Sequence, residues 1–150
     1  MARRTLVIQT GDLSSGERWT LSEALSPQSH TTILTVSRGE QTVFSGGMGG
    51  PSVPWDDHIK FYVGEEDDFA GVVVRVDELV TRVFLRTSTS QERADLTLYP
   101  SALVKGVRVG AMPLARGHAF TDLMALDQGG AMIFAHPLPD LEAVRRSMPD

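Results

Sequence analysis

The feature that most limits what this chain can fold into is its hydrophobic period. From residue 4 to about residue 135, apolar and polar side chains alternate in twos. Ile59, Phe61 and Val63 alternate with His58, Lys60 and Tyr62, Ala94, Leu96 and Leu98 with Arg93, Asp95 and Thr97, and Val83 and Leu85 with Arg82 and Arg86. A period of two places one set of side chains on a buried face and the other in solvent, which is the geometry of a strand. Parallel strands would need crossovers of about a dozen residues, usually helical. No such segment occurs within the alternating region. The chain is therefore read as all-β and antiparallel.

The pattern predicts about ten short strands, near 4–9, 17–25, 31–37, 40–45, 58–63, 70–76, 81–87, 92–99, 105–112 and 118–126, with a further one at 131–135. Arg38-Gly39, Thr87-Ser88-Thr89-Ser90 and Gln128-Gly129-Gly130 separate alternating runs and read as hairpin turns. Gly71-Val72-Val73-Val74 breaks the alternation and reads as a strand buried on both faces. Short strands with regular turn signals fit a β-sandwich, with a β-barrel as the alternative. One helix is expected, over 139–148. Asp140 would cap it, and Leu141, Val144 and Met148 would form a thin apolar stripe docked on the sheet. A chain of 150 residues buries roughly 70% of its unfolded surface, enough for one domain with its own core.

Composition removes whole classes. The 14 Lys plus Arg against 19 Asp plus Glu give a net charge of -5. Neutralising phosphates needs a basic stripe, so nucleic acid is not an expected partner. No run approaches the ~20 apolar residues of a membrane helix. Behind Arg3-Arg4 the apolar run is only Leu6-Val7-Ile8, too short for a secretory core. A cytoplasmic location is the expectation. With Cys 0, thiol chemistry is excluded.

The candidate sites are few. Glu65-Glu66-Asp67-Asp68 stand between two strands, with Asp56-Asp57 eight residues or more upstream. Calcium takes six to eight oxygen ligands, often carboxylates from loops. The two acidic stretches, however, flank a strand roughly 20 Å long and belong at opposite ends of it. Calcium at Glu65, Glu66, Asp67 and Asp68 is thus a weak alternative to a solvated acidic loop. Gly46-Gly47-Met48-Gly49-Gly50-Pro51 lacks the lysine and the following helix of a phosphate loop and reads as a mobile or bulged connection. His30, His58, His118 and His136 include no pair at zinc spacing. No nucleophile elbow is present, so no catalytic residue is assigned and the reading leans away from an enzyme.

Two binding surfaces remain. Arg82, Arg86 and Arg93 fall on solvent-side positions of neighbouring strands, with Glu92 and Asp95 near enough for cross-strand ion pairs. With Phe84 and Tyr99 among those charges, this face is a candidate protein-contact surface. Trp55, His58 and Tyr62 mark a second place, where a ligand-binding barrel or small enzyme would have its mouth.

Val80-Thr81-Arg82-Val83, followed by Leu123-Met124-Ala125-Leu126-Asp127-Gln128-Gly129-Gly130, resembles small uncharacterised β-sandwich proteins of high-GC bacteria. Trp19-Thr20-Leu21 and the glycine-rich stretch at 46–50 fit the same outline, over about two-thirds of the chain. This chain lacks the cysteines that bracket the glycine-rich strand in many of those proteins. The resemblance implies a fold and no reaction. The function read from the sequence is a non-catalytic protein-interaction or assembly module, with a protein partner or homo-oligomerisation through a strand edge.

Overall fold

The computed structural model describes residues 4–26, 29–50, 58–66, 69–87, 93–115 and 120–138. It contains twelve strands and, among the described residues, no helix. In chain order the strands are β1 (Arg4–Asp12), β2 (Arg18–Ser26), β3 (Ser29–Arg38), β4 (Gln41–Met48), β5 (Ile59–Glu66), β6 (Phe69–Val76), β7 (Arg82–Arg86), β8 (Arg93–Leu96), β9 (Tyr99–Pro100), β10 (Arg108–Ala115), β11 (Asp122–Leu126) and β12 (Met132–Pro137). Every pairing is antiparallel.

The strands form three open sheets of four. Sheet A has the order β1-β2-β3-β4, sheet B the order β5-β6-β10-β9, and sheet C the order β12-β11-β7-β8. None closes into a barrel, so the barrel alternative is not met. The helix expected over 139–148 lies outside the described residues. The number is twelve because the further strand expected at 131–135 is present as β12, and the run expected at 92–99 splits into β8 and β9, which belong to different sheets.

The layering follows from the side-chain period of β6. Its even-numbered residues Ala70, Val72, Val74 and Val76 pack with Val83, Leu85, Leu123 and Ala125 of sheet C. The odd-numbered Phe69 and Val73 pack with Leu34, Val36 and Phe44 of sheet A. Sheet B is thus the middle of three layers, and all eight residues of β6 are buried. An unbroken apolar run is what a strand covered on both faces requires, as Gly71-Val72-Val73-Val74 indicated. Each fully buried valine contributes roughly 1.5–3 kcal/mol of transfer free energy, so this strand is the principal hydrophobic element.

The glycine cluster differs from its expected role as a loop. β4 continues through Gly46 and Gly47 to Met48, paired with Leu34, Ile33 and Thr32. Glycine is used there for close approach. A Cβ on Gly46 would sit 2.6 Å from the Tyr62 ring, and one on Gly47 would overlap the Thr32 carbonyl oxygen. The bare backbone at Gly46 lets Tyr62 of sheet B lie against β4, while Gly47 leaves room for the neighbouring β3 backbone within sheet A.

Candidate functional site

The residues singled out by sequence are not gathered at one place. His58 stands at the start of β5 with φ +65°, the sole non-glycine residue with positive φ among those described. That conformation costs energy for a side-chain-bearing residue unless its surroundings hold it. Here they do so from both sides. His58 Nδ1–H donates to Asp77 Oδ2 at 2.6 Å, and the Asp77 N–H donates to the His58 carbonyl at 3.0 Å. Asp77 Oδ1 in turn accepts the Leu79 N–H at 2.9 Å. The pair fastens the entry of β5 to the connection between β6 and β7. Its orientation is also that of a carboxylate-steadied imidazole, a group able to move a proton through its other nitrogen. Tyr62 is engaged elsewhere, against Gly46 and Gly64 on the side of sheet A. Trp55 lies outside the described residues.

The arginine face is on the outer side of sheet C. Arg82 makes two hydrogen bonds to Asp95, at 2.9 and 3.2 Å, and Arg86 lies 3.9 Å from Asp122. The Arg93 guanidinium stands 4.6 Å above the Phe84 ring, and Phe84 is buried beneath it. The charges therefore satisfy one another across the strands, each exposed pair contributing about 1 kcal/mol at most. Tyr99 is not part of this face. It belongs to β9 of sheet B, paired with Val109, because the chain changes sheets between Leu96 and Tyr99. Glu65 and Glu66 end β5 in register with Ala70 and Phe69, while Asp67 and Asp68 are outside the described residues. Among the described residues there is no group of three or more His, Asp or Glu side chains placed to hold a metal ion.

Sequence reasoning missed a buried charged cluster between sheets A and B. Glu23 of β2, His30 of β3 and Arg75 of β6 are almost wholly excluded from solvent. His30 Nε2–H donates to Glu23 Oε2 at 2.5 Å, the Ser101 hydroxyl donates to the same oxygen at 2.6 Å, and the Ala102 N–H donates to Glu23 Oε1 at 2.8 Å. Arg75 reaches across from sheet B and donates to the His30 carbonyl at 2.8 Å and to Thr32 Oγ1 at 2.9 Å. Its Nη1 has no hydrogen-bond partner among the described residues. Four elements thus converge on one carboxylate and one guanidinium. The geometry joins layers and is not that of a nucleophile triad, because the carboxylate, not the imidazole, stands next to the serine. The one sequence signal was register: Glu23 and His30 occupy the same face as Leu21 and Leu34, a face that is otherwise apolar apart from Thr32.

The electrostatics are opposed. Burial alone would push the Glu23 carboxyl up, but the bonds from His30, Ser101 and Ala102 outweigh it and hold the group below the ordinary carboxylate range. Burial pushes Arg75 down to about 10, with Glu23 acting against that shift. For a carboxyl lowered in the folded state, the stabilisation is complete above the unfolded value of about 4.3 and is lost as pH falls through the folded value. Urea midpoints should therefore fall as the pH drops below the ordinary carboxylate range, and Glu23→Gln should flatten that acid limb. An acid limb unchanged by Glu23→Gln would show that other carboxylates carry it.

The open strand edges complete the picture. β1 ends sheet A and β12 ends sheet C. Val7 on β1 is 62% exposed and Met132 on β12 is 54% exposed, the two most exposed large hydrophobic side chains among those described. Neither strand carries a charged residue between its ends: β1 reads Thr5 to Gly11, and β12 reads Met132 to Pro137. Among the described residues no helix is long and apolar enough to cross a membrane. No family model, curated protein or solved structure matches this chain.

Proposed function

We propose that this chain is a non-catalytic assembly module that associates through the strand edges of its outer sheets. The observation that carries this reading is the coincidence of open edge, missing charge and exposed apolar side chain on both β1 and β12. Edge strands present unsatisfied N–H and C=O groups, and proteins that stay monomeric guard such edges with lysine, proline or inward charges. In β1 the guards are a bulge between Val7 and Gln9 and charges confined to its two ends, Arg4 and Asp12. In β12 the guards are Pro137 at the last position and an irregularity at Ile133, which leaves Phe134 to Pro137 as its regular part. The arginine face of sheet C supports the reading by default, since its charges are already paired within the chain.

Sedimentation velocity over about a hundredfold concentration range tests it. The expected result is a reversible rise in sedimentation coefficient with concentration, abolished in a variant carrying both Val7→Lys and Met132→Lys. These exposed substitutions should change the melting temperature little. A concentration-independent monomer with the native edges would overturn the reading.

A further inference from the structure

Resting on that reading, we propose that the partner at β12 is a second copy of this chain, paired antiparallel across a two-fold axis that passes at Ala135. The side chains of β12 divide by face. Phe134 and His136 pair with Ala125 and Leu123, residues of the core between sheets B and C, so they lie on the inner face. Ala135 pairs with Met124 on the outer face and is exposed. The Phe134 and His136 rings stack at 6.2 Å and 10°, and Phe61 of β5 meets both, at 5.8 and 5.0 Å. This three-ring group sits beside an edge that, among the described residues, pairs with β11 alone.

A two-fold at Ala135 sets Phe134 of one copy opposite His136 of the other, twice. The stack of rings then continues across the interface as an alternating Phe–His–Phe–His ladder, flanked by the two Phe61 rings. Cross-strand aromatic pairs of this kind stabilise antiparallel sheets. Ala135, on the axis, has the smallest side chain available for self-contact without loss of a Cβ. Charge does not oppose the arrangement. An antiparallel two-fold brings like segments together around the axis, which penalises a charged edge, and β12 carries no Asp, Glu, Lys or Arg. The same axis at β1 would cross the bulge between Val7 and Gln9, where the ladder is irregular. The regular part of β12 runs from Phe134 to Pro137 and includes the axis. Such an edge contact buries less than the roughly 1,600 Å² of a standard interface, so a weak and concentration-dependent dimer is expected.

The absence of cysteine gives a clean test. Ala135→Cys places two thiols opposite each other across the axis, within the 4.4–6.8 Å Cα separation typical of a disulfide. Ala131→Cys, also exposed, lies outside the pairing. Under mild oxidation at high protein concentration, Ala135→Cys should form a covalent dimer rapidly, at least tenfold faster than Ala131→Cys. Circular dichroism of each variant confirms the native sheet content. Equal rates for the two variants would overturn the axis. A dimer of the unmodified chain that is lost with Val7→Lys and kept with Met132→Lys would also overturn it, while leaving assembly through an edge intact. A strict monomer would remove the underlying reading instead.

Discussion

Glu23→Gln should lower the stability of the protein by about 3 kcal/mol, the lower end of what removing one member of a buried ion pair costs. The substitution preserves shape and leaves an oxygen to accept the Ala102 N–H. What it removes is the negative charge that Arg75 faces in the interior. Arg75 holds its carbonyl and hydroxyl acceptors on β3 but would remain a dry cation with Nη1 unsatisfied. The lower end applies because no direct hydrogen bond joins the two groups. Arg75→Met should also destabilise, by removing the donor to the His30 carbonyl and Thr32 Oγ1 and the positive charge that Glu23 faces. The double variant should be less damaged than the sum of the single ones, by about 1–2 kcal/mol, since neither charge is then left alone. Urea unfolding of the four proteins measures this coupling. Strict additivity would mean that the cluster is two unrelated contacts.

Gly71→Val should be nearly as damaging, by about 3 kcal/mol, for a steric reason. Gly71 lies in the middle of β6, where sheet A crosses the central layer. A Cβ there would come within 2.8 Å of the Phe44 ring and 2.9 Å of Leu34 Cδ2. Both neighbours are fully buried and cannot swing away. Gly71→Ala should already cost about 1 kcal/mol or more, despite the gain that alanine gives over glycine in an unstrained strand. Thermal unfolding of Gly71→Ala and Gly71→Val resolves the two steps. A neutral alanine variant would show that sheets A and B can separate locally without loss.

Strand content was legible in the sequence because a period of two leaves a direct trace wherever one face is buried. The central strand was legible for a different reason: Val72, Val73 and Val74 leave no polar side on which water could act. What escaped was the number of layers. A strand run such as 92–99 looks the same whether it stays in one sheet or hands over to another, and the handover between Leu96 and Tyr99 is a matter of backbone direction. That is why Tyr99 was placed beside Phe84. The glycines at 46 and 47 were misread as a connection because their partners, Tyr62 and the Thr32 carbonyl, lie on other strands and leave no local mark. The buried cluster was missed on similar grounds. Glu23 and His30 look like ordinary solvent-side residues until their register with Leu21 and Leu34 is known, and Arg75 at the end of a valine run looks like a strand terminus. His58 was marked as notable, but its partner Asp77 could be found only through the pairing of β5 with β6.

The strand order within the layers has a consequence for synthesis. Sheet A is a meander of four consecutive strands, so all its backbone pairings can form once residue 48 has left the ribosome. Sheets B and C are interleaved: after β6 the chain builds β7 and β8, returns for β9 and β10, and leaves again for β11 and β12. Sheet B is completed only after half of sheet C has been made, and sheet C only after sheet B is whole. At synthesis rates of about 5–20 residues per second, sheet A therefore exists for seconds before its covering layer. During that interval the Glu23 carboxylate and the His30 imidazole place polar groups on a largely apolar inner face, and they are enclosed when β6 delivers Arg75. The residues that cost most to bury are, on this timetable, the ones that wait for the central layer.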